Sequence, residues 1–240
     1  TFGVLNGYVF DFDRSNAPVP MYAGGAVEIL RSGIFGKGVY ADFAAFYPWM
    51  MINHILSMEI PEGVSEAALD DDSEWVCNLR AECIIPQIMT RLLSMRRTLE
   101  AEMRAATSTT AKKQKKNAIR CVKATINSGY GFFGADTNPF GNGFWKIASN
   151  TTRIARREIG YVKQTVEVLT FDFMKADPVL GPIIAQHAPA LFALVVVYGD
   201  TDSAVFVYNV EKASAVAADV SMDFVADFSE ALCHNIPRLS

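Results

Sequence analysis

The stretch VVVYGDTDSAVFVY, residues 195–208, constrains the fold more than any other part of the chain. Two runs of β-branched and aromatic residues flank Gly-Asp-Thr-Asp, which predicts a β-hairpin with carboxylates at its tip. Side chains at i and i+2 of an extended chain point to the same side, so Asp200 and Asp202 are expected to face one spot. Two converging carboxylates repel each other unless a cation lies between them. Gly and Asp are also ordinary turn residues, and an Asp-x-Asp taken alone fits a polar turn equally well.

The remaining sequence narrows the choice. Among 240 residues, 50% are hydrophobic and 20% charged, which excludes a disordered chain and leaves room for one large or two small domains. Cys77, Cys83, Cys121 and Cys233 form neither a CxxC pair nor a disulfide framework, so core packing in a reducing compartment is expected. The scattered His54, His187 and His234 suggest no zinc site. The apolar run APALFALVVVY is too short to span a bilayer, and no secretory signal opens the chain. With no initiating Met, the chain reads as a segment of a larger protein. The net charge of −4 argues against a uniformly basic nucleic-acid binder, but the charge is uneven. Residues 91–123 hold ten Lys and Arg against two Glu, whereas 58–74 hold seven acids and no base. Such a field can attract phosphates locally while the whole stays acidic, although a solvated helix face is also basic.

Along the chain, GIFGKG (33–38) lacks the spacing of a phosphate-binding loop and reads as a turn. A short strand is expected through Val39 to Phe43, then a helix starting at Pro48, and an acidic surface connection follows. Residues 78–107 have helical periodicity with Pro86 as boundary or kink. After a Ser-Thr-Thr capping turn comes a second helix, 111–128, whose stop is expected in GYGFFG. Two helices joined by so short a turn should lie antiparallel. Residues 144–169 read as another helix, followed by a loop containing Pro178, Pro182 and Pro189. The C-terminal stretch reads as an amphipathic packing helix.

On the second of the paired helices, Lys116, Arg120, Lys123 and Asn127 are spaced by four, three and four, on one face. Tyr130 follows between Gly129 and Gly131. Cations, an amide and a ring succeed one another in the order of a nucleotide's phosphates, sugar and base. A solvated basic helix with a Gly cap has the same pattern. Asp42, at the end of its strand, adds a third carboxylate. Beside the hairpin it would complete a site for two divalent metals about 3.5–4 Å apart, suited to in-line phosphoryl displacement.

DFAAFYP, KATINSGYG and YGDTDS, in that order, resemble the three polymerase motifs of family B DNA polymerases, approximately DFxSLYPS, KxxxNSxYG and YGDTDS. YAGG at 22–25 is similar to the family's YxGG element, and IASNTTRIARREI to the helix after the second motif. The resemblance covers Tyr22 to about Tyr208. It implies an α+β fold: a palm whose antiparallel sheet carries the catalytic carboxylates, and a helical-hairpin fingers subdomain. The implied division is palm over 1–74, fingers over 75–130 and palm again over 131–240, with exonuclease and thumb outside this segment. It further implies template-directed DNA synthesis from dNTPs on primer-template DNA, with two Mg²⁺ (or Mn²⁺ as substitute). A processivity factor would bind through other parts, and the location would be nuclear or cytoplasmic, with no membrane. The YGDTDS wording is closer to cellular and herpesvirus-like replicative members than to protein-primed phage ones. The loosened first motif points to a viral source.

Carried over by the resemblance, Asp42 and Asp202 are the principal metal ligands, Asp200 a secondary acid, and Phe43 a backbone-carbonyl ligand. Lys123, Asn127 and Arg96 hold the triphosphate. Tyr47 lies under the deoxyribose as a steric gate, with Tyr130 in the same pocket and Ala45 and Phe46 in the adjoining loop. Tyr22, Gly24, Gly25 and Gly131 approach the DNA. Ala45-Phe46 and Trp49 depart from the family's Ser-Leu and Ser. Glu100 stands where members often carry Lys. An acid there would oppose a triphosphate, so Glu100 is expected to turn toward Lys116 or Arg120 of the facing helix, with Arg97 or Arg104 supplying the cation. Two other functions remain open: a polymerase-derived scaffold without chemistry, disfavoured by retention of all three acids and Lys123, and a nucleotide-sugar transferase with an Asp-x-Asp metal site. Asp42 on its separate strand and the KxxxNSxYG helix speak against the second.

Overall fold

Contacts divide the chain into two compact units, Thr1–Gly24 with Ala45–Ile154, and Gly25–Ala44 with Ala155–Ser240. The computed structural model describes residues 2–5, 8–11, 21–54, 56–57, 83–135, 145–187, 192–208 and 220–239. The expected acidic connection, Cys77, the first residues of the 78–107 helix and Pro189 lie outside these. The described residues form an α+β arrangement of helices and small antiparallel sheets. None of the described helices is long and apolar enough to cross a membrane.

In the first unit, β1 (Phe2–Leu5) and β2 (Tyr8–Asp11) pair antiparallel. Helix α1 runs Phe46–Asn53, two residues ahead of the expected start at Pro48. Ala45 adopts a left-handed conformation (φ 57°) that turns the chain into the helix. Pro48 then sits within the first turn, where its missing N–H forfeits no intrahelical bond. Pro86 occupies the same kind of position in α2 (Ile84–Ala105), marking a boundary rather than a kink. Three residues lead into α3 (Thr109–Gly134), and the Ser108 side chain accepts a hydrogen bond from Ala111 N–H at 3.1 Å, a cap contributing about 1 kcal/mol. The two helices are antiparallel: Lys115 pairs with Glu102 near the connection, and Gly129 meets Met89 far from it.

The expected stop at GYGFFG does not occur, and α3 continues to Gly134. Each helical glycine costs about 1 kcal/mol relative to alanine. Ile126 and Phe133, seven residues apart on one face and both buried, offset that with about 1.5–3 kcal/mol apiece. Gly129 also has a packing reason to be glycine, since a Cβ there would run into the Met89 methyl. Met50, Met51, Ile85 and Leu93 complete this core, with Cys83 buried beside them in sequence, while Cys121 is exposed on α3.

Helix α4 (Trp145–Val168) matches the expectation closely and continues from the first unit into the second. The second unit holds a four-stranded antiparallel sheet in the order β3 (Val27–Ile29), β5 (Leu194–Asp200), β6 (Ser203–Tyr208), β4 (Gly38–Asp42). Across it run two rows of opposed residues, Ile29–Tyr198–Val205–Tyr40 and Val27–Asp200–Ser203–Asp42. Opposed residues share a face, so both rows lie on one side of the sheet. A bulge at Val197 shifts the register of β5, and the Val197 carbonyl accepts from Leu30 and Arg31 N–H.

The other side is covered by helix. Phe224 and Phe228 of α7 (Met222–Leu239) pack on Phe192 and Tyr208, whose hydroxyl is 2.7 Å from Ser229 Oγ; burial pushes the Tyr208 phenol up to about 12. The expected loop of prolines is instead two short helices, α5 (Phe171–Ala176) and α6 (Leu180–His187). Their ends are fixed by side chains: Thr170 accepts from Phe173 N–H, and Asp177 accepts from Val179 and Leu180 N–H. Pro182 again falls in a first turn. Within the turn of GIFGKG, Lys37 donates to the Val220 carbonyl, a structural role rather than a phosphate-binding one.

Candidate active site

The hairpin between β5 and β6 closes with only Thr201 and Asp202, which lie in the turn itself. Asp202 is therefore not in the strand, and strand alternation does not align it with Asp200. What draws carboxylates together is the β4–β6 ladder. Asp42 is opposite Ser203, and Phe43 N–H donates to the Asp202 carbonyl at 2.9 Å. Burial, then the charge of Asp42 and, more weakly, that of Asp200 push the Asp202 carboxyl above its usual range, against a lowering hydrogen bond from its own backbone. Asp200 is turned to other partners. It accepts from Tyr198 Oη at 3.3 Å and from Thr201 Oγ1 at 3.0 Å. The Tyr198 contact was missed in the sequence, although i and i+2 on one strand would have shown it.

Among the described residues, no three His, Cys, Asp or Glu side chains are gathered so as to hold a metal ion. Asp42 and Asp202 nonetheless fit one. They are hard oxygen donors whose mutual repulsion a divalent cation would relieve. Mg²⁺ binds through one or two carboxylates, leaving the rest of its shell to water and substrate phosphate.

In the first unit, Lys116, Arg120, Lys123 and Asn127 are all exposed along one face of α3, as the spacing predicts. Tyr130 meets Tyr47 with ring centroids 4.7 Å apart. Tyr22 is stacked on Trp145, hydrogen-bonded with Tyr130 and close against Gly134; burial, then Tyr130, raise its phenol to about 12. Phe46 is buried, 5% exposed, so its side chain belongs to the core of this unit. Thr152, within the NTTR stretch of α4, donates to the Ala23 carbonyl at 2.9 Å and fastens the YAGG segment. A Cβ on Gly24 or Gly131 would meet nothing within 4 Å.

Arg96 and Glu100 form an ion pair at 2.8 Å within α2. This corrects the expected partner of Glu100, since a neighbour one helical turn away needs less ordering than one on another helix. The tie across the helices comes from Glu102 to Lys115 instead. Arg97 lies over the Trp49 ring, 5.8 Å from its centroid, a contact available because Trp replaces the family's Ser.

Residues 6–237 match the family model for DNA polymerase family B. The chain belongs to that family. Among family B relatives, it is 28% identical over 187 residues to the DNA polymerase of Autographa californica nuclear polyhedrosis virus, covering 76% of this chain and 16% of that protein. With the DNA polymerase delta catalytic subunit of Arabidopsis thaliana it shares 26% over 214 residues, 84% of this chain and 18% of the relative. With the DNA polymerase of Pyrococcus glycovorans it shares 27% over 151 residues, 61% and 19% respectively. The chain thus spans less than a fifth of the length of these family B relatives.

Proposed function

We propose that this chain is the palm and fingers part of a replicative DNA polymerase and catalyses template-directed nucleotidyl transfer from dNTP to a primer 3′-hydroxyl. In that reaction the hydroxyl attacks the α-phosphate and pyrophosphate leaves. The observation that supports the reading is the nearness of Asp42, at the end of the β4–β6 ladder, to Asp202 in the adjoining turn, whose carboxyl the Asp42 charge raises. Asp42 and Asp202 would hold two Mg²⁺ (or Mn²⁺), with the Phe43 carbonyl and Asp200 at the margin; bound metal supplies charge stabilisation for the attacking and leaving oxygens. Lys123, Asn127 and Arg96 neutralise and orient the triphosphate. The Tyr47–Tyr130 pair provides an aromatic floor for the sugar, and the backbones of Ala45 and Phe46 border it. Tyr22, Gly24 and Gly131 serve the primer-template, and a processivity factor would engage parts outside this chain. The work is nuclear or cytoplasmic.

A scaffold without chemistry gains nothing from a carboxyl held at a charge cost, and a nucleotide-sugar transferase does not account for the family match over residues 6–237. In the protein carrying this chain, Asp42→Ala and Asp202→Ala should each abolish primer extension, and Asp200→Ala should reduce it less. Primer-template binding should survive all three, because it rests on phosphate contacts elsewhere. Undiminished extension by Asp202→Ala would refute the reading.

A further inference from the structure

Gly25 does not occupy the left-handed region that would explain a glycine, so its requirement is for space. A Cβ built there would overlap Thr201 at Oγ1, at Cγ2 (2.7 Å) and at Cβ (3.0 Å). The overlap cannot be relieved by a swinging chain end. Thr is stiff at χ1, and its Cβ is tied to a backbone already held at φ 48°, where a β-branched residue is a rare outlier. That backbone is fastened to the same segment, since Thr201 N–H donates to the Ala26 carbonyl at 2.6 Å. Thr201 in turn donates from Oγ1 to Asp200 at 3.0 Å and precedes Asp202 directly. The segment itself is anchored. Val27 is opposite Asp200 on the β3–β5 ladder, and Glu28 pairs with Lys163 of α4, whose stem lies over Gly199.

From this close approach we infer that Gly25 is a positioning residue for the catalytic turn: its missing side chain seats Thr201 and thereby aims Asp200 and Asp202. The inference rests on the polymerase reading but departs from the assignment of Gly25 to DNA. The two assignments make opposite demands. A glycine that serves DNA is judged by primer-template affinity, and a glycine that serves the turn is judged by the rate and by Thr201.

A double-mutant cycle in the protein carrying this chain separates them. Gly25→Ala should lower the single-turnover extension rate about tenfold or more and raise the Mg²⁺ concentration for half-maximal rate. Primer-template Kd should stay within about twofold of the parent. In a Thr201→Gly background, where both the overlap and the φ strain are gone, the same Gly25→Ala change should alter the rate less than about twofold. An equal loss in both backgrounds, or a loss confined to primer-template affinity, would overturn the inference. If Gly25→Ala alone fails to fold, the Gly25→Ala/Thr201→Gly variant carries the test. Folding with the rate of Thr201→Gly supports the inference, and either misfolding or a further loss of rate overturns it. Asp202→Ala, run alongside, distinguishes the two levels: its inactivity keeps the polymerase reading even when the rescue fails.

Discussion

Asp202→Asn should make the 240-residue chain more stable and the enzyme inactive, because the substitution removes a charge the fold holds at a cost. The folded-state carboxyl is raised above its ordinary value of 3.8, first by burial and then by Asp42. A raised carboxyl binds its proton more tightly folded than unfolded, so ionised Asp202 subtracts stability at neutral pH. The loss is fully present above the raised folded value. It fades as pH falls through that value and is gone below the unfolded one. The size follows from the ladder. Asp42 is opposite Ser203, next to Asp202, and facing Cβ atoms on an antiparallel pair are about 5 Å apart. Two unit charges at about 6 Å repel by about 0.7 kcal/mol in water and about 3 kcal/mol at an effective dielectric of 20. Asp42 is exposed and Asp202 only partly covered, so screening places the penalty near the lower end, about 1 kcal/mol.

For a chain of this length, about 1 kcal/mol corresponds to about 2–4 °C in Tm. Thermal melts of parent and Asp202→Asn in EDTA at pH 7.5 should show that gain for the variant, and the difference should vanish near pH 3.5, below the unfolded value. Asn retains the oxygen that accepts the backbone hydrogen bond, so the charge alone changes. Millimolar Mg²⁺ should raise the parent's Tm and leave the variant's unmoved, as only the parent has repulsion to relieve. A lower Tm for Asp202→Asn at pH 7.5, or a gain that persists undiminished at low pH, would refute the electrostatic account.

Tyr47→Ala should raise ribonucleotide incorporation far more than it lowers deoxynucleotide incorporation, and an unchanged ratio in competitive extension assays would remove Tyr47 from the sugar pocket. Glu100→Gln should release Arg96 and lower the apparent dNTP KM, while loss of one i,i+4 pair costs only about 0.3–0.5 kcal/mol in a melt; an unaltered KM would take Arg96 off the triphosphate. The 240-residue chain alone should bind primer-template weakly, because on the proposed palm-and-fingers division few phosphate contacts would lie within it, and for the same reason the slope of log affinity against log salt between about 50 and 200 mM should be shallow by titration.

How much was readable in advance depended on how local each determinant is. The helical hairpin was legible because Ser108, the three-residue connection and the apolar periodicity all act within a few residues of one another. Its far end was not, since Gly129 and Gly131 signal a stop locally, and the burial of Ile126 and Phe133 that overrides them is tertiary. Asp42, Asp200 and Asp202 stand out in the sequence, but strand alternation does not align Asp200 with Asp202, which lies in the turn. Strand alternation joins Asp200 to Tyr198, and Asp202 reaches Asp42 only through a register that no single strand encodes. Glu100 differs in the opposite direction: the sequence suggests a partner on the facing helix, and the structure pairs it with Arg96, one turn back on the same helix. Gly25 shows the deeper limit. In the sequence it is one of two adjacent glycines and carries no mark of its own. Only the arrival of a turn some 175 residues further along the chain, with Thr201 filling the place of a Cβ, separates it from Gly24, whose side-chain position is open. Two identical residues side by side thus answer to different neighbours, and substituting each in turn reads out the packing of the carboxylate turn rather than the flexibility of a loop.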